Sequence, residues 1–195
     1  MKSELLVIPA TGEHAKYAPT VSSWIIDEAR NGLMIAKGSE GLSEHFSNGE
    51  SSLGFIGDNV ISHSAYTHKY QPMRDGTIYW ELGALVVNPN NAYRGKGFGK
   101  QTVLEHLEMN ELLPSGECDR RKLRIIAFAG FSNYQSAGLF KSIGGREISI
   151  YHLPEAALAD GLEYYIFDLT HLMPLRRDVA ITSPQTAFAL SRRPY

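Results

Sequence analysis

The chain has 195 residues, 43% of them hydrophobic and 21% charged, the balance of a water-soluble globular protein long enough to bury a normal core. A formal net charge of −2 removes the basic excess that would drive counterion release, so nucleic acid is excluded as a general partner, and no run reaches the ~20 apolar residues of a membrane span. The single cysteine, Cys118, has no partner for an internal disulfide and the first ten residues lack a signal-peptide apolar run, so a reducing, cytoplasmic setting is expected.

Residues 5–8 form a short apolar strand closed by Pro9. Tyr17, Val21, Trp24, Ile25 and Glu28 recur at helical spacing over 14–30, and Pro19 requires that the helix break or begin there. Asn31-Gly32 is a stop. After an apolar stretch at 33–36, residues 39–46 read as a brief helix capped by Ser39. Residues 51–56 and 60–69 are strands around Gly57-Asp58-Asn59, a hairpin signal. In the second, Val60, Ser62, Ser64 and Tyr66 alternate with Ile61, His63, Ala65 and Thr67, so one face is expected to line something polar. His63 reads either as a pocket residue or as a strand-surface histidine; with His68 five positions on, the two face opposite ways and make no metal set.

Residues 71–76 are a loop, and Thr77 starts a long strand in which Leu82, Ala84, Leu85, Val86 and Val87 are apolar enough to be covered on both faces. Asn88-Pro89-Asn90-Asn91 stops it. There follows Arg94-Gly95-Lys96-Gly97-Phe98-Gly99-Lys100, with three glycines at alternate positions where an amphipathic helix begins. That helix runs to about Leu113, burying Val103, Leu104, Leu107 and Leu112, and Pro114-Ser115-Gly116 ends it. Glycines let backbone N–H groups turn toward one point, so the loop suits an anion; Arg94 and Lys96 favour phosphate over carboxylate. Neither common nucleotide fingerprint fits. The P-loop needs glycine where Arg94 stands and Ser or Thr where Gln101 stands, and the dinucleotide motif needs G-x-G-x-x-G where this chain has G-x-G-x-G.

Residues 122–128 are the next buried strand, and 133–142 a helix capped by Ser132 or Asn133 and stopped by Gly144-Gly145. Two further strands, 147–151 and 162–169, are joined by an Ala-rich connection at about 153–161. One domain over 1–172 with a basic tail over 173–195 is the expected organisation.

The glycine loop resembles motif A of the GCN5-related N-acetyltransferase (GNAT) superfamily, Q/R-x-x-G-x-G/A, filled here by Arg94, Gly97 and Gly99 after a strand ending in Val-Val-Asn-Pro. A second match comes from Asn133, Ser136, Leu139, Phe140 and Gly144, which resemble the superfamily's N-x-x-A-x-x-L-Y-x-x-x-G-F pattern. The order β-α-α-β-β-β-α-β-α-β-β over roughly 3–170 is also similar. The resemblance implies an α/β (α+β) single domain whose central sheet of about seven strands is mixed, mostly antiparallel, and flanked by helices. It implies acetyl-CoA as co-substrate, with the coenzyme A pyrophosphate held by Arg94, Gly95, Lys96, Gly97, Phe98, Gly99 and Lys100. The pantetheine arm would lie along Leu85, Val86 and Val87 like an added strand, one N–H polarising the thioester, with Asn133 and Phe140 as further contacts.

The implied activity is N-acetyl transfer to a primary amine by direct attack in a ternary complex. Glu81, near the start of the central strand, is the candidate base; it is equally placed to be a solvated strand-end residue or an ion-pair partner. Phe140 stands where many members carry a tyrosine acid, so Ser136, four residues earlier on nearly the same helix face, or water would protonate the thiolate. A small amine or amino acid is favoured over a protein terminus, because residues 28–46 are loosely similar to amino-acid N-acetyltransferases of the glutamate type, although Lys37-Gly38-Ser39 replaces the usual Arg-Ser spacing. The acceptor pocket would draw on 24–46, 60–69 and 151–163, and a homodimer is compatible with the resemblance. The alternative reading is a catalytically silent CoA-binding sensor or scaffold.

Overall fold

The computed structural model describes residues 4–31, 38–109, 120–149, 151, 153–154 and 164–173. Among these, seven strands form one sheet: β1 (Leu6–Pro9), β2 (Ser51–Ile56), β3 (Asn59–Lys69), β4 (Ile78–Val87), β5 (Leu123–Gly130), β6 (Arg146–Ile148) and β7 (Tyr164–Asp168). Their spatial order is β1-β2-β3-β4-β5-β7-β6, antiparallel throughout except for β4 beside β5. Helices α1 (Ala18–Arg30) and α2 (Ser39–Ser47) come between β1 and β2, α3 (Phe98–Glu108) follows β4, and α4 (Tyr134–Ser142) follows β5. The expected fold class holds. No helix among the described residues is long and apolar enough to cross a membrane.

Local chemistry sets most boundaries. Pro19 lies in the first turn of α1, where its missing N–H would have no partner anyway, so it marks a start; a 3₁₀ helix, Gly12–Tyr17, fills the turn before it. Ser39 is not the cap of α2. The helix begins one residue sooner, with Gly38 as N-cap and its carbonyl accepting from Leu42 N–H at 3.2 Å. At α4 the choice falls to Asn133, whose Oδ1 accepts from Ser136 N–H at 3.0 Å. The expected strand at 147–151 is shorter and earlier, at Arg146–Ile148. Several expectations lie outside the described residues: the stretch 33–36, Lys37, the end of the third helix with Leu112 and Leu113, Pro114-Ser115-Gly116, Cys118, the 155–161 part of the Ala-rich connection, 162–163, and the tail from 174.

Two cores flank the sheet. Between α1, α2 and the β2–β4 half, Val21, Ile25, Leu42, Phe46 and Leu53 are fully buried, each aliphatic or aromatic side chain contributing roughly 1.5–3 kcal/mol. On the opposite face, α3 and α4 cover Leu82, Val103, Leu107, Ile125, Phe140 and Phe167. A bulge changes the predicted alternation of β3. Gly54 pairs with Ser62 but Phe55 with Val60, so Ile61 is an extra residue; Val60 joins the α1–α2 core while Ser62, Ser64 and Tyr66 turn toward α3. The polar face thus lines a helix and not a pocket. Thr102 Oγ1 donates to Phe98 O at 2.7 Å and is 2.6 Å from Ser62 Oγ, which therefore donates to it, and Ser52 Oγ lies 2.9 Å from His106 Nδ1.

One irregularity positions everything that follows. The parallel ladder between β4 and β5 covers only Ile78–Glu81 against Leu123–Ile126. Beyond Glu81 and Ile126, β4 continues to Val87 paired with β3, while β5 continues to Gly130 paired with β7. The two middle strands fork, and the loops into α3 and α4 leave from the open end.

Candidate active site

The open end begins with two side-chain turns. Asn88 Oδ1 accepts from Asn90 N–H at 3.0 Å and Asn90 Oδ1 from Ala92 N–H at 2.9 Å, carrying the chain off the sheet. Gly95 and Gly97 then adopt φ 69° and 83°, and a Cβ on either would meet nothing within 4 Å. Backbone conformation, not crowding, demands glycine here. Gly97 is the N-cap of α3, no side chain caps its first turn and no acidic residue stands in it, so the N–H groups at the positive end of the helix dipole are open to an anion. Gly99 serves packing instead: a Cβ there would lie 3.1 Å from Leu139 Cδ1 and 3.4 Å from Val87 Cγ2, so its absence seats α3 against α4 and the end of β4.

Two of the loop's three cations are tied to neighbours. Arg94 pairs with Glu28 of α1 at 3.0 Å, and Lys100 Nζ donates to the carbonyl of Ser142, the last residue of α4, at 3.2 Å. Lys96 stands exposed, and Phe98, half-buried, packs near Tyr93 with ring centroids 6.3 Å apart. The cradle is braced on both sides, with the basic groups at its rim.

Among the described residues, the edge of β4 beyond Glu81 has no strand partner on the β5 side. Asn88 N–H donates to Ile61 O at 2.7 Å; by strand alternation the Val86 backbone also faces β3, and the N–H and C=O groups of Leu85 and Val87 face the cleft. Val86 sends its side chain into the α1–α2 core. The bend in β4 centres on Ala84, whose φ of 48° is the only positive value for a non-glycine among the described residues.

Glu81 lies at the vertex of the fork, in the last residue pair that β4 makes with β5. Its side chain is on the α1–α2 face, where Tyr70 Oη donates to Glu81 Oε2 at 3.1 Å. Glu81 Oε1 lies over Gly83: a Cβ built at Gly83 would be 3.3 Å from that oxygen and 2.7 Å from Thr67 Oγ1, a buried hydroxyl with no hydrogen-bond partner. Tyr70 in turn meets the His68 ring edge-on at 4.4 Å. A carboxylate with one oxygen held by Tyr70 and the other close to Gly83 and an unsatisfied hydroxyl, at the vertex of the fork, can act as a proton acceptor.

On the other arm, Asn133 is buried and serves as the α4 cap. Ser136 is half-exposed one turn above Phe140. Phe140 is 4% exposed, its ring against Phe167 at 5.5 Å in the main core, so the structure does not bring it to the cleft with the others. His63 is neither pocket lining nor strand surface. It is fully buried beneath β4, Nδ1 2.9 Å from Ala84 O and Nε2 3.4 Å from Ser51 Oγ. No motif marks Tyr70 or Thr67, whose one signal in the sequence is that strand 60–69 ends in polar residues; Glu28 shows only as a helical position and His63 as one of a strand's alternating residues.

No family model matches the chain, and no curated protein matches it by sequence. Solved structures do. N-acetylglutamate synthase from Neisseria gonorrhoeae, complexed with coenzyme A and N-acetyl-glutamate, superposes with TM-score 0.63 and 17% identity over 86% of this chain, which spans 35% of that protein's length. A GNAT-family acetyltransferase from Bacillus cereus gives TM-score 0.58 and 13% identity over 89% of this chain and 99% of its own. Naa50 from Arabidopsis thaliana, in complex with the bisubstrate analogue CoA-Ac-MVNAL, gives 0.55 and 12% over 84% and 97%. At these identities the likeness is one of fold.

Proposed function

We infer, from a fold shared with the GCN5-related N-acetyltransferases, that this chain is an acetyl-CoA-dependent N-acetyltransferase acting on a primary amine, with a small amine or amino acid favoured. The observation that carries the reading is the fork: an uncapped helix N-terminus behind a left-handed glycine loop at its open end, and a carboxylate, Glu81, at its vertex. A long, slender ligand with an anionic middle fits such a path. Gly95 to Lys100 would receive the pyrophosphate, Arg94 and Lys96 would supply charge at the rim, and the Leu85 and Val87 backbone would pair with an amide-bearing arm. Acetyl-CoA, when bound, supplies an acyl carbon activated by a thiolate leaving group.

The remaining steps belong to the chain. Glu81, with Oε2 fixed by Tyr70, takes the ammonium proton at Oε1, directly or through water. An α-amino group, with a pKa of about 8, yields that proton more readily than a lysine at about 10.4. A backbone N–H on the β4 edge meets the acyl oxygen as charge gathers on it. Ser136 or water returns a proton to the departing thiolate, for which modest help suffices because a thiol pKa is about 8.5.

Release of free thiol from acetyl-CoA over a panel of amino acids, polyamines, aminoglycosides and peptides tests the reading. Glu81→Gln is expected to lower kcat by about 10²-fold, in the range of a lost general base, with acetyl-CoA binding retained. Coenzyme binding without release on any acceptor would instead favour a silent CoA-binding module, the reading that Phe140, buried and without a hydroxyl, supports. A chain whose melting temperature does not respond to acetyl-CoA is neither.

A further inference from the structure

A mid-strand alanine at φ 48° costs roughly 1–2 kcal/mol of backbone energy, and it persists only where neighbours enforce it. At Ala84 the enforcing group comes from β3. The β3–β4 register slips between His63 and Ala65, and into that slip the His63 ring reaches under β4, placing Nδ1 2.9 Å from the Ala84 carbonyl oxygen. A carbonyl only accepts, so Nδ1 carries the proton. In the Nδ1–H tautomer Nε2 is free to accept from the Ser51 hydroxyl at 3.4 Å, and Phe46 of α2 packs on the ring at 5.6 Å. The imidazole is therefore held from β2, from α2 and from β4 at once, with no exposed surface.

What this fixes is a peptide plane. In a trans peptide the carbonyl oxygen of one residue and the N–H of the next point opposite ways. Holding the Ala84 C=O onto His63 therefore turns the Leu85 N–H away from β3, the direction that strand alternation already assigns to the cleft. We propose that His63 is a positioning residue of the acyl-transfer site: it locks the Ala84–Leu85 peptide so that Leu85 N–H is presented to the cleft as a fixed hydrogen-bond donor to the acyl oxygen. This rests on the transferase reading given above. His63 touches no reactant; it removes the reorganisation that a mobile donor would need as charge develops, which is the form of electrostatic help that acts on kcat and not on donor binding.

The test compares two substitutions and one measurement on the unaltered chain. His63→Asn retains a side-chain amide N–H near the place of Nδ1, whereas His63→Leu fills the space without a donor. In His63→Leu, kcat is expected to fall by about 10²-fold, the scale of a lost oxyanion donor, while KM for acetyl-CoA and the rise in melting temperature on adding coenzyme A change less than threefold. His63→Asn should recover most of the loss. Equal kcat in all three proteins overturns the proposal, as does a loss common to both variants with a parallel rise in KM. Should His63→Leu fail to fold, nitrogen chemical shifts of the His63 ring and hydrogen exchange at Leu85 in the unaltered protein decide. An Nδ1–H tautomer and a Leu85 amide that is rigid but exchanges with solvent are expected; an Nε2–H tautomer overturns it. Absence of turnover in the unaltered protein counts against the transferase reading, and the tautomer still reports on the brace by itself.

Discussion

His106 shows what burial does to a single side chain. It is fully enclosed under α3, with Nδ1 against Ser52 and Nε2 without a hydrogen-bond partner, the Tyr66 ring meeting it edge-on at 4.6 Å. Burial, with the nearby His63 as a smaller contribution, pushes its pKa down to about 3. The folded chain thus keeps His106 neutral where the unfolded chain, below about 6.5, takes up a proton, so acidification favours unfolding. Stability is expected to fall by about 1.4 kcal/mol per pH unit from this group between about pH 6 and pH 4. Urea unfolding at pH 4.5 and 7 measures it, and His106→Gln, which keeps a bond to Ser52 but does not titrate, should flatten the difference. None of this was legible in the sequence. Alternation along 60–69 identified two faces, but one extra residue at Ile61 and the histidines of two distant segments decided which groups were sealed in. The burial of His63 is hidden from the sequence for the same reason, since a ladder register is a long-range property.

At the scale of elements, the glycine loop and the α4 cap were readable because turn and cap chemistry is local: φ-permissive glycines, Asx turns and an asparagine before a helix carry their meaning in a few neighbours. The tie between the loop and α1 was not, since 66 positions separate Glu28 from Arg94. That pair is half-exposed and screened, so Glu28→Gln is expected to leave stability within about 0.5 kcal/mol. It should tighten acetyl-CoA binding a few-fold, by releasing Arg94 to the pyrophosphate, with a steeper salt dependence; calorimetric titration at two ionic strengths checks both. Gly97→Ala acts the other way. The left-handed φ costs roughly 1–2 kcal/mol for an alanine in space that is otherwise open, so thermal stability drops modestly while binding, which needs that N–H orientation, drops more.

For the whole molecule, element order made the fold class readable, while strand order and the fork were not, because both depend on which strands pair. A ligand lying in the fork would touch both halves of the sheet, which share a ladder of only four residue pairs among the described residues. Acetyl-CoA at 100-fold its Kd is therefore expected to stabilise the native chain by about 2.7 kcal/mol, read as a rise in melting temperature. The acceptor side was legible only in part. Of the segments expected to form the acceptor pocket, 24–46, 60–69 and 151–163, residues 32–37, 152 and 155–163 lie outside the described residues.

The bare edge inside the fork has a further consequence for how the chain behaves in company. An unpaired row of N–H and C=O groups is what a stray strand seeks, and edges of this kind are common seeds of aggregation. Here the edge ends at the closed pairing of Glu81 with Ile126, so only the short stretch of β4 beyond that pair is open to another strand. A ligand that fills the groove thus also caps the edge. At high concentration, self-association is therefore expected to fall when coenzyme A is added, which light scattering with and without the coenzyme checks.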